Sequence, residues 1–265
     1  MKGILLGLLM ILLAPGLQAQ EPDADWEMLL QNSVRVMEGG RATQVDYAAL
    51  EREAAQLTRY LTSLSRTTES EFESWPRPAR LAFLINAYNA WTLDLVMTGY
   101  PGIDSIRDLG SLFRSPWQKK FISLLGMTVS LDHIEHELIR APGVFDEPRI
   151  HFAVNCASIG CPALRWEPYT AAKLESQLED ATRLFLSDRS RNRFEDGRLY
   201  VSEIFKWYRE DFERGWRGTY SVAEFLSLYH KVLGLDVETA AQLREGAIPI
   251  RYLDYDWGLN DVTEP

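Results

Sequence analysis

Apolar positions recur at helical spacing through most of the chain. Over Asp25–Met37, Trp26, Leu29, Leu30 and Val34 share one face, and the spacing predicts a helix. A second helix is predicted over Tyr47–Leu64. Trp75-Pro76-Arg77-Pro78 then breaks the chain, with Pro78 placed to open the next helix. That helix, Ala79–Thr98, is the most apolar of the mature chain and ends at Gly99-Tyr100-Pro101-Gly102. Phe121–Leu125 and Met127–Leu131 predict two short strands around Gly126. Ser130 or Asp132 can cap a helix running to Arg140. Arg149–Asn155 is expected to be a buried strand and Thr170–Leu186 an amphipathic helix. Phe194–Val201 is expected to be a hairpin turned at Asp196-Gly197. Short helices follow near Ile204–Phe212, Val222–Leu233 and Glu238–Glu245, and Ile248–Trp257 is a last extended segment. Helices dominate, and the strands do not alternate with them as βαβα. The expected class is α+β, a mostly helical single domain around a small antiparallel sheet.

One apolar segment stands outside this plan. Met1–Ala19 carries Lys2, an apolar run from Ile4 to Leu13 and a Pro-Gly break, the pattern of a signal peptide. The expected division is therefore 1–19 as signal and 20–265 as the domain. The run is short for a bilayer span, so no stable membrane anchor is expected once it is cleaved, and the mature protein is expected to be periplasmic or secreted. The net charge of −10 argues against a nucleic-acid partner.

An oxidising compartment changes how the two cysteines are read. They lie five positions apart in His151–Leu164, HFAVNCASIGCPAL. The small residues Ala157-Ser158-Ile159-Gly160 let the chain turn after Cys156 and expose N–H groups that can lower a thiol pKa or hold an oxyanion. The same turn lets Cys156 and Cys161 meet in a disulfide, though so short a loop stabilises little through chain entropy. Both readings stay open from the residues alone. On a strand, His151 falls on the face opposite Cys156, so a base for the thiol is sought elsewhere, and His136 is the preferred candidate. His133 and His136 miss zinc-binding spacing, because Arg140 stands where H-E-x-x-H needs histidine. No metal and no cofactor is expected. Asn86 and Asn89, three apart in the apolar helix, either tie it to neighbouring backbone or orient a reacting group.

Five ordered stretches, FLINAYNAWTL (Phe83–Leu93), SLDHIEHELIR (Ser130–Arg140), HFAVNCASIGCPAL, EIFKWYREDF (Glu203–Phe212) and YDWGLN (Tyr255–Asn260), resemble the DUF547 family. The resemblance implies a papain- or transglutaminase-like fold and a cysteine hydrolase. Cys156 would be the nucleophile and His136 the base. Asn86, Asn89, Glu135 or Asp256 would serve as the orienting group. Asn89, Asn155, Ser158 and His151 are expected to meet substrate. The expected reaction is attack on an amide or isopeptide bond of a small peptide. A glutathione-like thiol peptide is a candidate because Arg107–Lys120 could receive carboxylates. The competing expectation is a non-catalytic periplasmic binding or scaffold module with a Cys156–Cys161 disulfide.

Overall fold

The computed structural model describes residues 24–111 and 113–262, so the expected signal segment 1–19 lies outside the described residues. Eleven α-helices are described: α1 (Ala24–Ser33), α2 (Tyr47–Arg52), α3 (Ala54–Arg66), α4 (Glu69–Ser74), α5 (Arg77–Met97), α6 (Leu174–Ser187), α7 (Ile204–Trp207), α8 (Arg209–Phe212), α9 (Val222–Leu228), α10 (His230–Leu233) and α11 (Val237–Arg244). The strands form three small sheets. They are β1 (Val34–Met37) with β2 (Ala42–Val45), β3 (Ile122–Leu124) with β4 (Met127–Val129), and β5 (Arg193–Glu195), β6 (Arg198–Ser202) and β7 (Ile250–Leu253) in that order. This is a mostly helical α+β domain, as the pattern predicts. Among the described residues no helix is long and apolar enough to cross a membrane.

Two groups of buried side chains fill the interior. One gathers around α5, whose residues from Leu81 to Leu93 are all buried, together with α1, α3, β3 and β4. The other collects Phe185, Phe205, Phe212 and Phe225 around Phe152. Consecutive residues divide between them: Ile150 and Ala153 pack in the first group, Phe152 in the second. A strand places alternate side chains on opposite faces, but Pro148–Phe152 instead forms a 3-10 helix. Glu147 accepts the Arg149 N–H and caps this short helix. Arg149 is only 1% exposed. It forks onto Glu147 and Glu175 at 2.7 Å each and lies over the Trp216 ring. The expected strand over Arg149–Asn155 is therefore corrected.

Other differences have local causes. The helix expected to run to Met37 stops at Ser33, because Val34-Arg-Val-Met pairs with β2 as a hairpin. The sheets are antiparallel as expected except for one pairing: β5 and β6 pair antiparallel through Asp196-Gly197, both at positive φ, while β7 adds parallel to β6. Helices α7–α11 intervene between β6 and β7, and such a crossover returns the chain in the same direction. The helix expected before Arg140 forms over His133–Ile139 as a π-helix, with Arg140 N–H donating to Glu135 O at 2.9 Å and the Ser130 hydroxyl receiving the His133 N–H.

Replacing Arg149 by Ala should cost about 3 kcal/mol, since it strands the half-buried Glu147 beside an empty guanidinium site; much of the Glu175 contribution is screened by solvent. Urea unfolding of the two proteins measures it, and a loss under 1 kcal/mol would show that the fork contributes little.

Candidate functional site

The Cys156 turn has no ladder of its own and borrows its hydrogen bonds. Asn89, buried in the middle of α5, accepts the Asn155 N–H at 2.8 Å and donates to Ala153 O at 3.0 Å. Asn155 accepts the Ala157 N–H and donates to Pro162 O at 2.7 Å, which closes the turn on itself. From the other side the C-terminal segment docks. Ile159 N–H donates to Gly258 O and Gly160 N–H to Asp256 O, each at 2.8 Å. A Cβ on Gly160 would come within 2.9 Å of Asp256 O, so only glycine permits this approach. Ala157 sits at φ 61, the left-handed region, to aim Cys156 out of the turn.

Cys156 thereby reaches a cavity of about 270 Å³. Its wall is built from α5 (Tyr88), the π-helix (Glu135, His136) and the residue before it (Asp132), the 3-10 segment (His151), α7 (Trp207), the residue after it (Tyr208) and the C-terminal segment (Tyr255, Trp257). A seven-residue π-helix advances less per residue than an α-helix. The consecutive Glu135 and His136 accordingly both line the cavity, although neighbours on an α-helix diverge by about 100°. Tyr255, Trp207 and Trp257 pack ring to ring, with centroids 4.6 to 5.6 Å apart.

Both cysteines are free thiols in contact. Cys161 Sγ donates to Cys156 Sγ at 2.8 Å, while the hydroxyls of Ser158 and Tyr255 each lie 3.1 Å from the Cys156 sulfur. The Cys161 hydrogen bond above all, with those of Ser158 and Tyr255, draws the Cys156 pKa below its ordinary value against the opposing effect of burial. Burial pushes the Cys161 thiol well up, so it keeps its proton and remains the donor. The pair thus joins a half-buried Cys156 whose thiol ionises more readily than usual to a buried Cys161 that holds its proton more tightly.

Two histidines line the same cavity in different states. His136 is exposed. Its Nδ1 meets the Arg140 guanidinium and its Nε2 lies 3.9 Å from Asp132. His151 is buried, stacked on Tyr208 with centroids 3.9 Å apart, and its Nε2 lies 2.7 Å from Asp211. Among the described residues no hydrogen-bond partner meets His151 Nδ1. Burial holds the His151 pKa below the usual histidine value against the pull of Asp211. Asp211, bonded to His151 and Arg140, is drawn down to about 2 even though burial opposes it. Glu135 is buried, with Oε1 unpartnered and the Tyr208 hydroxyl engaged by its carboxylate.

The residues singled out in the sequence divide accordingly. Cys156, His136, Glu135 and His151 come together around one cavity, and Ser158 joins them through the Cys156 sulfur. Asn89 and Asn155 shape the turn from behind it. Asn86 lies apart, accepting the Tyr169 N–H and donating to Tyr169 O at 2.8 Å. Asp256 caps Gly258 N–H. The expected placing of His151 opposite Cys156 fails with the strand on which it rested. The N–H groups expected to hold an oxyanion are spent at Ala157, Ile159, Gly160 and Cys161 on Asn155, Gly258, Asp256 and Ser158. Asp211, Tyr208 and Tyr255 were missed as site residues. Their only sequence signal is the pair of stretches EIFKWYREDF and YDWGLN.

Replacing Asn89 by Ala should cost about 2–4 kcal/mol, because it leaves two buried backbone groups unpaired, and urea unfolding measures it. His151 and Asp211 both have depressed folded pKa values. Each contributes stability that is complete at high pH and declines as pH falls, from about 6.5 for His151 and between about 4 and 2 for Asp211. The urea midpoint should hold steady above pH 7 and decline below 6.5, and His151→Gln should remove the upper part of that decline.

Residues 72–186 match the family described as "Protein of unknown function, DUF547". The matched stretch holds Cys156, His136, Glu135 and His151, whereas Tyr208, Asp211 and Tyr255 lie beyond it. No curated protein and no solved structure matches the chain.

Proposed function

Because residues 72–186 of this chain are a DUF547 region, a family whose description assigns no activity, we propose a function from the site: an exported cysteine hydrolase that cleaves an amide or isopeptide bond with Cys156 as nucleophile. The observation that carries the reading is a thiol with a depressed pKa, held by three hydrogen bonds, opening on a cavity shared with two histidines. The export part rests on the Met1–Ala19 pattern alone.

Thiolate attack on the carbonyl carbon forms the C–S bond and places negative charge on oxygen. The hydroxyls of Tyr255 and Ser158, beside the sulfur, are the donors positioned to receive it. The base takes the Cys156 thiol proton as the sulfur attacks, gives it to the leaving amine, and later takes a proton from the water that hydrolyses the thioester. His151 suits this task better than His136. Asp211 fixes its Nε2–H, which leaves Nδ1 as a free lone pair, whereas Arg140 occupies Nδ1 of His136. The cavity wall includes Asp132 and Glu135 and, among the described residues, no Lys or Arg. That lining supports a neutral or amine-bearing substrate over a glutathione-like one rich in carboxylates.

Cys156→Ser should abolish both turnover of peptide amides and labelling by a thiol-directed amide probe; equal labelling of the variant would sink the proposal. His151→Gln should lower kcat by about 10²- to 10⁴-fold while iodoacetamide still alkylates Cys156 within a few-fold of the unaltered rate. His136→Gln should change kcat far less. A reversed order of the two histidine effects would assign proton transfer to His136.

A further inference from the structure

We propose that Cys156 and Cys161 are also a redox couple, which exchanges two electrons with low-molecular-weight disulfides at the same cavity. The inference goes beyond the hydrolase reading and does not need it. It needs only the asymmetry of the two sulfurs. Cys156 is half-buried, opens on the cavity, accepts a hydrogen bond from Cys161 and lies 3.1 Å from the hydroxyls of Ser158 and Tyr255. Cys161 is 5% exposed, keeps its proton, and touches Cys156 at 2.8 Å. A dithiol of this kind reacts in a fixed order, because only the accessible thiolate can meet an external disulfide and only the buried thiol is placed to follow.

The chemistry balances without any further reagent. The Cys156 thiolate attacks one sulfur of R–S–S–R, forming a Cys156–S–S–R bond and releasing R–S⁻. Cys161 gives its proton to that departing thiolate, and its sulfur attacks Cys156 Sγ. The Cys156–Cys161 bond forms, the Cys156–S–R bond breaks, and the second R–S⁻ leaves to take a proton from water. The two cysteines are oxidised by two electrons and the external disulfide is reduced to two thiols. The fold supports both states. The turn between the sulfurs is anchored through backbone groups to Asn89, Asn155 and the C-terminal segment, and none of those bonds uses a sulfur. The contacts that involve the reacting sulfurs are separate from these: the Cys156 N–H and Val154 O at Cys161, and the Ser158 and Tyr255 hydroxyls at Cys156. The aromatic wall of Trp207, Tyr255 and Trp257 offers polarizable surface to an incoming disulfide.

The test uses the full chain, reduced, freed of reductant and mixed with 2-hydroxyethyl disulfide at pH 6. The expected product is a protein lighter by two hydrogens, with both thiols lost and residues 156 and 161 joined in an unreduced digest; dithiothreitol should reverse it. Closure should run faster than with the same chain unfolded in denaturant, because the turn holds Cys161 Sγ 2.8 Å from Cys156 Sγ for the second attack. Cys161→Ser should stop at a mixed disulfide on Cys156, and Cys156→Ser should leave Cys161 unreacted until the protein is unfolded. A stable mixed disulfide on the unaltered protein, or no loss of thiol, would overturn the inference. So would attack by Cys161 in Cys156→Ser at the unaltered rate. Closure of the disulfide without any amide cleavage would remove only the hydrolase, and amide cleavage without closure only the redox couple.

Discussion

The structure turns on how the irregular segment from Asn155 to Cys161 satisfies its backbone. A buried chain without a ladder must find a partner for every N–H and C=O, and leaving one unmade costs about 1–3 kcal/mol. Here the partners come from three places: Asn89 on the central helix, Asn155 within the turn, and the C-terminal segment at Asp256 and Gly258. The turn is thereby rigid at the point where Cys156 leaves it. The C-terminal segment is also what brings Tyr255 to the sulfur, so one set of backbone bonds both closes the turn and completes the thiol's surroundings.

Electrostatics at the sulfur is a contest between short and long range. Burial and the nearby Glu135 carboxylate both disfavour a thiolate. Direct hydrogen bonds to a charged atom contribute about 1.5–3 kcal/mol each, and three of them converge on Cys156. They prevail, and the pKa falls. Cys161 has the opposite balance, because its burial and its donation toward Cys156 outweigh the one Cys156 N–H that it accepts. The difference between the two thiols is thus a property of their surroundings, since their residue type is the same.

The cavity lies where the two buried groups of side chains meet. Tyr88 and the π-helix face it from the first, Ile204 and Tyr208 from the second, and the segment from Pro148 to Cys161 runs between them. His151 stands at this boundary, stacked on Tyr208 and bonded to Asp211. The 3-10 geometry places it on the cavity side, and the π-helix does the same for both Glu135 and His136. Two departures from regular geometry therefore bring three chemically capable side chains, His151, Glu135 and His136, to the cavity that Cys156 faces.

The sequence by itself determined the helical class, the apolar central helix, the Asp196-Gly197 hairpin and the cysteine motif. Each depends on interactions within a few residues: a 3.6-residue period, a two-residue turn that tolerates positive φ, a run of small side chains. It also marked Cys156, His136, Glu135 and His151 as residues of interest, through composition and family resemblance. Tertiary structure alone decided which of them share a wall with Cys156 and how they are partnered. The parallel pairing of β7, the 3-10 helix at Arg149 and the roles of Asn86 and Asn89 all depend on partners far away in the chain. Asp211 reaches His151 across 60 positions and Tyr255 reaches Cys156 across 99. Local propensity carries no information about contacts at such separations, because they form only when packing of the whole chain fixes where its distant segments lie.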